Sequence, residues 1–133
     1  MKTVAKAILH QNKKALLQFR DDKESIPHPA TWSLFGGEIE EGETPKSCIQ
    51  REIKEEIGFT PTNVKLMDNQ VRTEGDEKVR DYIFGSELSA DIDKLCLQEG
   101  QALGFFTEDE VKNLNITPHY ESHIFDFFQR NND

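Results

Sequence analysis

Short segments rich in apolar and β-branched residues, bounded by polar turns, occur along much of the chain and predict β-strands. The two nearest the N terminus are joined by the polar turn QNKK, which predicts a hairpin. Two longer segments flank a turn at Gly75 and Asp76. The predicted strands are residues 3–10, 14–20, 33–39, 63–74, 79–88 and 103–107.

One helix has well-marked ends in the sequence. Thr44 and Pro45 supply an N-cap hydroxyl followed by a proline at the first helical position. The helix is predicted to run to about Ile57, where Gly58 ends it. Residues spaced by four lie on one face of a helix, so three isoleucines form a stripe that must face the core. That stripe consists of Ile49, Ile53 and Ile57.

Two more helical segments follow the strands. The first begins with a capping box, Thr107 with Glu110 three residues later. The second covers residues 119–130 and is amphipathic. Strands with interspersed helices predict an α/β layered fold with a mixed sheet. The apolar face of the last helix consists of Tyr120, Ile124, Phe127 and Phe128.

Length and charge narrow the possible functions. A chain of 133 residues predicts one domain over residues 1–133. Its formal net charge of −9 opposes nonspecific binding to nucleic acid or to anionic membranes, so we expect neither as a partner. An anionic substrate would therefore need a cation between it and the protein.

The two cysteines and the N-terminal segment indicate a reducing compartment. Cys48 and Cys96 have no CxxC spacing, which favours two buried free thiols over a disulfide framework. The first residues lack the long apolar run of a signal peptide, and no segment approaches the roughly 18 apolar residues of a membrane helix. We expect a soluble, cytoplasmic protein, either monomeric or homodimeric.

Three glutamates in the first helix form an unusual cluster. Glu52, Glu55 and Glu56 converge on one face at spacings where like charges repel by a few tenths of a kcal/mol per pair. They lie toward the C-terminal end of the helix, whereas the helix dipole favours acidic residues at its start. Clustered carboxylates are the ligands that Mg²⁺ or Mn²⁺ requires, so the cluster predicts a metal site rather than a solvated face.

The spacing around these glutamates matches a known signature. Gly37, five residues, Glu43, seven residues and then REIKEEIGF at residues 51–59 reproduce GX5EX7REUXEEXGU, where U is a bulky apolar residue. The chain thus resembles the Nudix hydrolases of the MutT type. The matching segment covers 23 of the 133 residues, and the segment LQEGQALGFFTEDEV also resembles the family's downstream region.

The resemblance implies an α/β/α sandwich that hydrolyses a diphosphate bond in a nucleoside diphosphate linked to another group. Water would attack phosphorus with the help of Mg²⁺ or Mn²⁺. By position, Glu52, Glu55 and Glu56 would be the main metal ligands, joined by the Gly36 carbonyl. Glu52 is the first candidate for the base that activates water. Glu99 is the second candidate, and it is also a possible metal ligand.

Other residues are implied in orientation and in substrate binding. Arg51 and Glu43 would form a pair that holds the loop against the helix, although a plain ion pair of Arg51 with a glutamate one turn later is the alternative. Arg20 stands where some Nudix enzymes place a phosphate-binding arginine. Trp32 could stack on a nucleobase. His119 is a third candidate for substrate contact.

The substrate itself is not predicted. The chain lacks the proline of some ADP-ribose hydrolases, the tyrosine of many dinucleoside polyphosphate hydrolases and the SQPWPFPxS array of NADH diphosphatases. It also has TPHYE where the oxidised-guanine triphosphatases carry an asparagine near the final helix. Nucleoside triphosphates and nucleotide sugars remain as examples of the substrate class.

Four rival functions are less well supported. A Nudix-fold nucleotide sensor without activity would be expected to lack some of the carboxylates. Isopentenyl diphosphate isomerase has a longer chain, and RNA processing would favour a basic stretch. A zinc site at His119 and His123 lacks the glutamate directly after the first histidine, because Tyr120 stands there.

Overall fold

The computed structural model describes residues 1–20, 30–91, 94–95 and 102–130. All six predicted strand segments are confirmed, and the segment 33–39 contributes to two short strands. The three predicted helices are present as well. The strands are β1 (Lys2–Gln11), β2 (Lys14–Phe19), β3 (Trp32–Ser33), β4 (Phe35–Glu38), β5 (Val64–Glu74), β6 (Glu77–Glu87) and β7 (Ala102–Phe106). The helices are α1 (Pro45–Ile57), α2 (Glu108–Val111) and α3 (Pro118–Arg130).

Strand β1 lies at the centre of a mixed sheet. It runs parallel to β6 along one edge, while its other edge pairs antiparallel with β4 near the start and with β2 near the end. The order β3-β2-β1-β6-β5 describes the main path, with β4 attached to β1 and β7 to β2. The predicted mixed sheet is therefore confirmed.

Two hydrophobic clusters lie on opposite faces of this sheet. One cluster contains the isoleucine stripe of α1 packed on Ala5, Ala7 and Leu9 of β1. The other contains the apolar face of α3 packed on Ile8 and Ile83. Successive residues of a strand point to opposite faces, which explains how β1 serves both clusters. Helices thus cover both faces, and the predicted α/β/α sandwich is confirmed.

The ends of α1 are fixed as the sequence predicts. The hydroxyl of Thr44 accepts a hydrogen bond from the backbone N–H of Ser47 at 3.1 Å, and the Ser47 hydroxyl accepts one from the N–H of Thr44. Gly58 ends the helix with a φ of 73°, a left-handed conformation that favours glycine. Both ends of the glutamate-bearing helix are therefore held by local contacts.

No helix among the described residues is long and apolar enough to cross a membrane. Cys48 is a buried free thiol, as predicted, and burial raises its pKa to about 11. Cys96 lies outside the described residues.

Candidate active site

Two consecutive glycines bring the backbone of β4 against the carboxylates of α1. The N–H of Gly36 donates to Glu56 at 2.9 Å. The Glu52 carboxylate lies so close to Gly37 that a methyl group there would stand 2.6 Å from it. Two of the three clustered glutamates thus meet the same stretch of strand, because glycine leaves room for close approach.

Glu56 is an acidic residue buried next to this strand. Its side chain is 2% exposed, and its second oxygen accepts a hydrogen bond from Gln18 at 3.0 Å. Burial raises the pKa of Glu56 to about 7, against the opposing effects of Lys6 and of the two hydrogen bonds. A carboxylate has more acceptor sites than these two bonds occupy, so it retains capacity for a cation.

Arg51 connects four carboxylates around the other side of the cluster. Its guanidinium donates to both oxygens of Glu43, to Glu52 at 2.9 Å and to Glu55 at 3.4 Å. Glu40 is also within 3.6 Å. The Arg51 side chain holds the pKa of Glu43 at about 2, well below its usual value. Arg51 therefore offsets much of the repulsion that the sequence predicts for this cluster.

The three glutamates differ in exposure, which the helical pattern alone did not predict. Glu55 is exposed and Glu52 is partly exposed, whereas Glu56 is buried. Within the described part of the chain, no three acidic, histidine or cysteine residues are gathered into a formed metal site.

The donor set nevertheless fits a hard divalent cation. It offers carboxylate oxygens from α1 and a backbone carbonyl from Gly36, the oxygen ligands that Mg²⁺ and Mn²⁺ prefer. A cationic group already lies on that carbonyl, because the Lys6 ammonium donates to the Gly36 oxygen at 3.3 Å. The site therefore has oxygen ligands, and its Gly36 carbonyl already binds a positively charged group.

A cavity of about 200 Å³ opens beside these residues, on the α3 face of the sheet. Four basic side chains line it, in a protein whose net charge is −9. The chain thus supplies part of the positive charge that an anionic substrate would need, whereas the sequence pointed only to a metal ion and to Arg20. The basic residues are Lys2, Lys6, Arg20 and Arg72, and the acidic residues Glu38 and Glu74 also line the cavity.

Of the three residues predicted to contact substrate, two lie at this cavity. Arg20 and His119 are among its lining residues. Trp32 is not; its ring packs on Phe19 at 5.1 Å and on Phe106 at 4.8 Å between centroids. Trp32 thus packs at the edge of the core, and its contact with a nucleobase stays a prediction.

The two histidines of α3 do not converge. The ring of His119 meets Tyr120 at the cavity wall, while His123 is 7% exposed and bonds Asp68 at 2.9 Å. The Nδ1 atom of His123 is buried without a hydrogen-bond partner. Contact with His123 keeps the pKa of Asp68 below its usual value. The described geometry gives no support to a zinc site at these histidines.

A network of polar side chains forms part of the cavity wall. The fully buried Asp81 accepts hydrogen bonds from Arg72 at 2.6 Å, Gln70 at 3.1 Å and Tyr120 at 3.2 Å. The Arg72 guanidinium also lies over the Tyr120 ring, 5.8 Å from its centre. These contacts fix the position of Arg72, whose side chain would otherwise be flexible.

Several residues at the site were missed by the sequence analysis. Lys6 and Gln18 each interrupt an apolar strand, and a polar residue inside such a strand is a usable signal of a buried contact. Ser33 gave no signal, although its hydroxyl is buried at the cavity without a hydrogen-bond partner. Glu99, the predicted additional ligand, lies outside the described residues.

Comparison with known proteins agrees with this geometry. A family model described as NUDIX domain matches residues 1–127. A nucleoside triphosphatase NudI from Enterobacter sp. (strain 638) is 30% identical over 80% of this chain and 82% of its own. An RNA pyrophosphohydrolase from Hydrogenovibrio crunogenus is 29% identical over 68% of this chain, which matches only 54% of that relative.

The fold is similar to that of solved structures. The MutT protein from Methanosarcina mazei Go1 superposes with a TM-score of 0.82 at 21% identity, over 99% of this chain and 95% of that one. At this identity the likeness concerns the fold alone. The family match, by contrast, spans nearly the whole chain and includes the glutamate-bearing helix. This protein therefore belongs to the Nudix family of hydrolases.

Proposed function

We propose that this protein hydrolyses a diphosphate bond in a nucleoside triphosphate, with Mg²⁺ or Mn²⁺ as cofactor. One observation carries the proposal: an acidic cluster suited to a metal lies beside a cavity lined by basic side chains. A phosphate group in this cavity could contact the basic side chains directly. It could also bind the metal ion that the carboxylates hold. The relation to a nucleoside triphosphatase over 80% of the chain supports this substrate class.

We assign metal binding and the activation of water to the glutamates of α1. Glu52, Glu55, Glu56 and the Gly36 carbonyl would hold the metal ion, which lowers the pKa of a bound water and neutralises phosphate oxygens. Glu52 would orient or deprotonate the attacking water. Its carboxylate is less buried than that of Glu56 and remains in contact with the Arg51 guanidinium. Glu99 stays the second candidate for this base.

Arg51 would act through the carboxylates it contacts. Its bonds to Glu43 in the loop and to Glu52 on the helix support a role in positioning rather than in substrate contact. Arg20 and His119 would contact the substrate from the cavity wall.

The direct test is turnover with a panel of substrates. The protein is incubated with Mg²⁺ and with nucleoside triphosphates, nucleotide sugars, ADP-ribose and dinucleoside polyphosphates, and release of phosphate and pyrophosphate is followed. Strong turnover of triphosphates that is lost in Glu55→Gln would support the proposal. Silence across the panel in protein that is folded and binds metal would contradict it and favour a nucleotide sensor.

A second substrate class is the 5′ end of RNA. The relative from Hydrogenovibrio crunogenus, an RNA pyrophosphohydrolase, favours it. The net charge of −9 opposes contact with the phosphates of a longer RNA, which is why we place it second. A 5′-triphosphorylated oligonucleotide and a free nucleoside triphosphate, compared at equal concentration, separate the two: faster cleavage of the oligonucleotide would reverse our order.

A further inference from the structure

Lys6 lies where the candidate metal site meets the cavity. It belongs to β1, directly opposite Gly36 of β4 in the antiparallel register. Residues two apart share a strand face, so Lys2, Val4 and Lys6 all line the cavity while Ala5 packs in the core. The Lys6 ammonium donates to the Gly36 carbonyl at 3.3 Å.

The charges around Lys6 include those of the metal site. The carboxylates of Glu56 and Glu52 attract its ammonium group, as does, more weakly, the network residue Asp81, and the Arg20 guanidinium repels it. A divalent ion at the Gly36 carbonyl would have the same neighbours. Two cations on one carbonyl repel each other strongly when they are partly shielded from water, so the ion and the ammonium group compete for this oxygen.

The cavity offers Lys6 another position. A lysine side chain has a flexible four-carbon stem and three rotatable donors, so it can move between two acceptors without a change in the backbone. The phosphate groups of a bound substrate would bring negative charge to the cavity that Lys6 already lines. An ammonium–phosphate contact would then replace the contact with the carbonyl.

We propose that Lys6 couples metal binding to substrate binding: its ammonium group holds the Gly36 carbonyl in the metal-free protein and binds a phosphate group of the substrate once metal takes that carbonyl. The inference rests on the proposed function for the position of the metal and for the phosphate-bearing substrate. Lys6 would then weaken metal binding in the absence of substrate and strengthen substrate binding in the presence of metal.

Two binding measurements test this inference without turnover. Mn²⁺ binding to the protein alone is followed by electron paramagnetic resonance of the free ion. Binding of methylenediphosphonate, a diphosphate mimic that cannot be hydrolysed, is then measured by calorimetry at saturating Mn²⁺. The test variant is Lys6→Met, which keeps the length of the side chain and removes its charge. The matched control is Lys2→Met, which removes one charge from the same cavity.

The expected result has two parts. Lys6→Met binds Mn²⁺ about fivefold more tightly than the wild type, because a competing cation is gone. The same variant binds the diphosphonate at least about tenfold more weakly, because a charge-assisted hydrogen bond is lost. Lys2→Met keeps the wild-type affinity for Mn²⁺ within about twofold, because the Lys2 charge acts on the ion only through long-range electrostatics that salt screens.

Unchanged Mn²⁺ affinity in Lys6→Met, unchanged diphosphonate affinity, or equal gains of Mn²⁺ affinity in both variants would overturn the inference. If Lys6→Met does not fold, Lys6→Arg gives the second test. This variant keeps the positive charge, so its affinity for Mn²⁺ should be no higher than that of the wild type. A higher affinity would overturn the inference. A protein that binds Mn²⁺ and diphosphonate as expected but hydrolyses nothing would refute only the proposed reaction.

Discussion

Arg51 grips Glu43 with two parallel hydrogen bonds, from Nε at 2.7 Å and from Nη2 at 2.9 Å. Glu43 belongs to the loop before α1, and Arg51 lies two turns inside the helix. The same guanidinium donates from Nη1 to Glu52. The loop and the candidate metal ligand are thereby held by one planar group, whose five donors have a fixed geometry.

Arg51→Lys should lower kcat/KM by about 10- to 100-fold, because an ammonium group cannot make the paired bonds to Glu43 while also reaching Glu52. Steady-state kinetics with the substrate found in the panel measures the change. Arg130→Lys, the same substitution in an exposed pair with Asp126, is the control and should be neutral. Equal kcat/KM for Arg51→Lys and wild type would contradict the positioning role.

Glu55→Gln and Glu56→Gln should each lower turnover by at least about 100-fold, because an amide replaces a charged metal ligand. Glu41→Gln is a suitable control, since Glu41 is an exposed residue of the preceding loop. Full activity in both variants would refute the proposed ligand set. Circular dichroism on the same samples shows whether any loss comes from unfolding.

The pKa of Glu56 predicts a pH-dependent stability of the metal-free protein. Its pKa is about 7 in the folded state and near the ordinary glutamate value of 4.5 in the unfolded state. Between these values the unfolded chain releases the proton that the folded chain retains, so stability falls as pH rises from 4.5 to 7 and levels off above 7. Over this pH range the titration of Glu56 lowers the free energy of unfolding by about 3 kcal/mol.

Glu56→Gln lacks this titration, so its stability relative to wild type should rise with pH across that window. Urea unfolding in the presence of a chelator, at several values between pH 4.5 and 7.5, gives the free energies of unfolding of both proteins. A difference between them that stays constant with pH would show that Glu56 does not titrate in this range.

The two glycines of β4 should respond differently to alanine. In Gly37→Ala the atoms nearest to the new methyl group would be those of the Glu52 carboxylate, which ends a side chain that can turn away, so the protein should fold while activity and metal affinity fall. In Gly36→Ala the methyl group would overlap the Ala5 carbonyl oxygen, at a φ of 135° that favours glycine, so folding itself should suffer. Thermal unfolding and Mn²⁺ binding of both variants check the contrast; a Gly37→Ala protein with full metal affinity would contradict it.

Asp81→Ala should destabilise the protein by about 3 kcal/mol, because it leaves the Arg72 guanidinium without its buried partner. Tyr120→Phe removes one hydrogen bond to the same carboxylate and should cost about 1 kcal/mol. Urea unfolding measures both values. Similar small losses in the two variants would mean that Asp81 is not the centre of the network.

The sequence predicted the fold well because its signals were local. The cap at Thr44, the stop at Gly58 and the isoleucine stripe each depend on neighbouring residues, and all three are confirmed. The turn at residues 75–76 and the apolar face of α3 are confirmed for the same reason.

The interior of the site was less predictable, because it depends on contacts across the sheet. Helical spacing placed Glu52, Glu55 and Glu56 on one face, but the packing of α1 against β4 and Gln18 determines that Glu56 is buried. The register of β1 with β4, rather than any local pattern, brings Lys6 to the Gly36 carbonyl. Likewise Tyr120, which lies 39 residues beyond Asp81, meets Asp81 and Arg72 of the β5–β6 hairpin only in the folded protein.

The alanines of β1 have a consequence for how this enzyme could change over time. Ala5 and Ala7 are fully buried under α1, and Ala5 pairs with Gly37 across the sheet. Small side chains at these positions set how near the helix lies to the strand, and the same spacing sets the reach of Glu52 and Glu56. A larger residue there would move the carboxylates together with the core. Natural variants at Ala5 and Ala7 should therefore alter stability and catalysis jointly, whereas cavity-facing residues of the same strand, such as Lys2, lie outside this packing and can change with less effect on it.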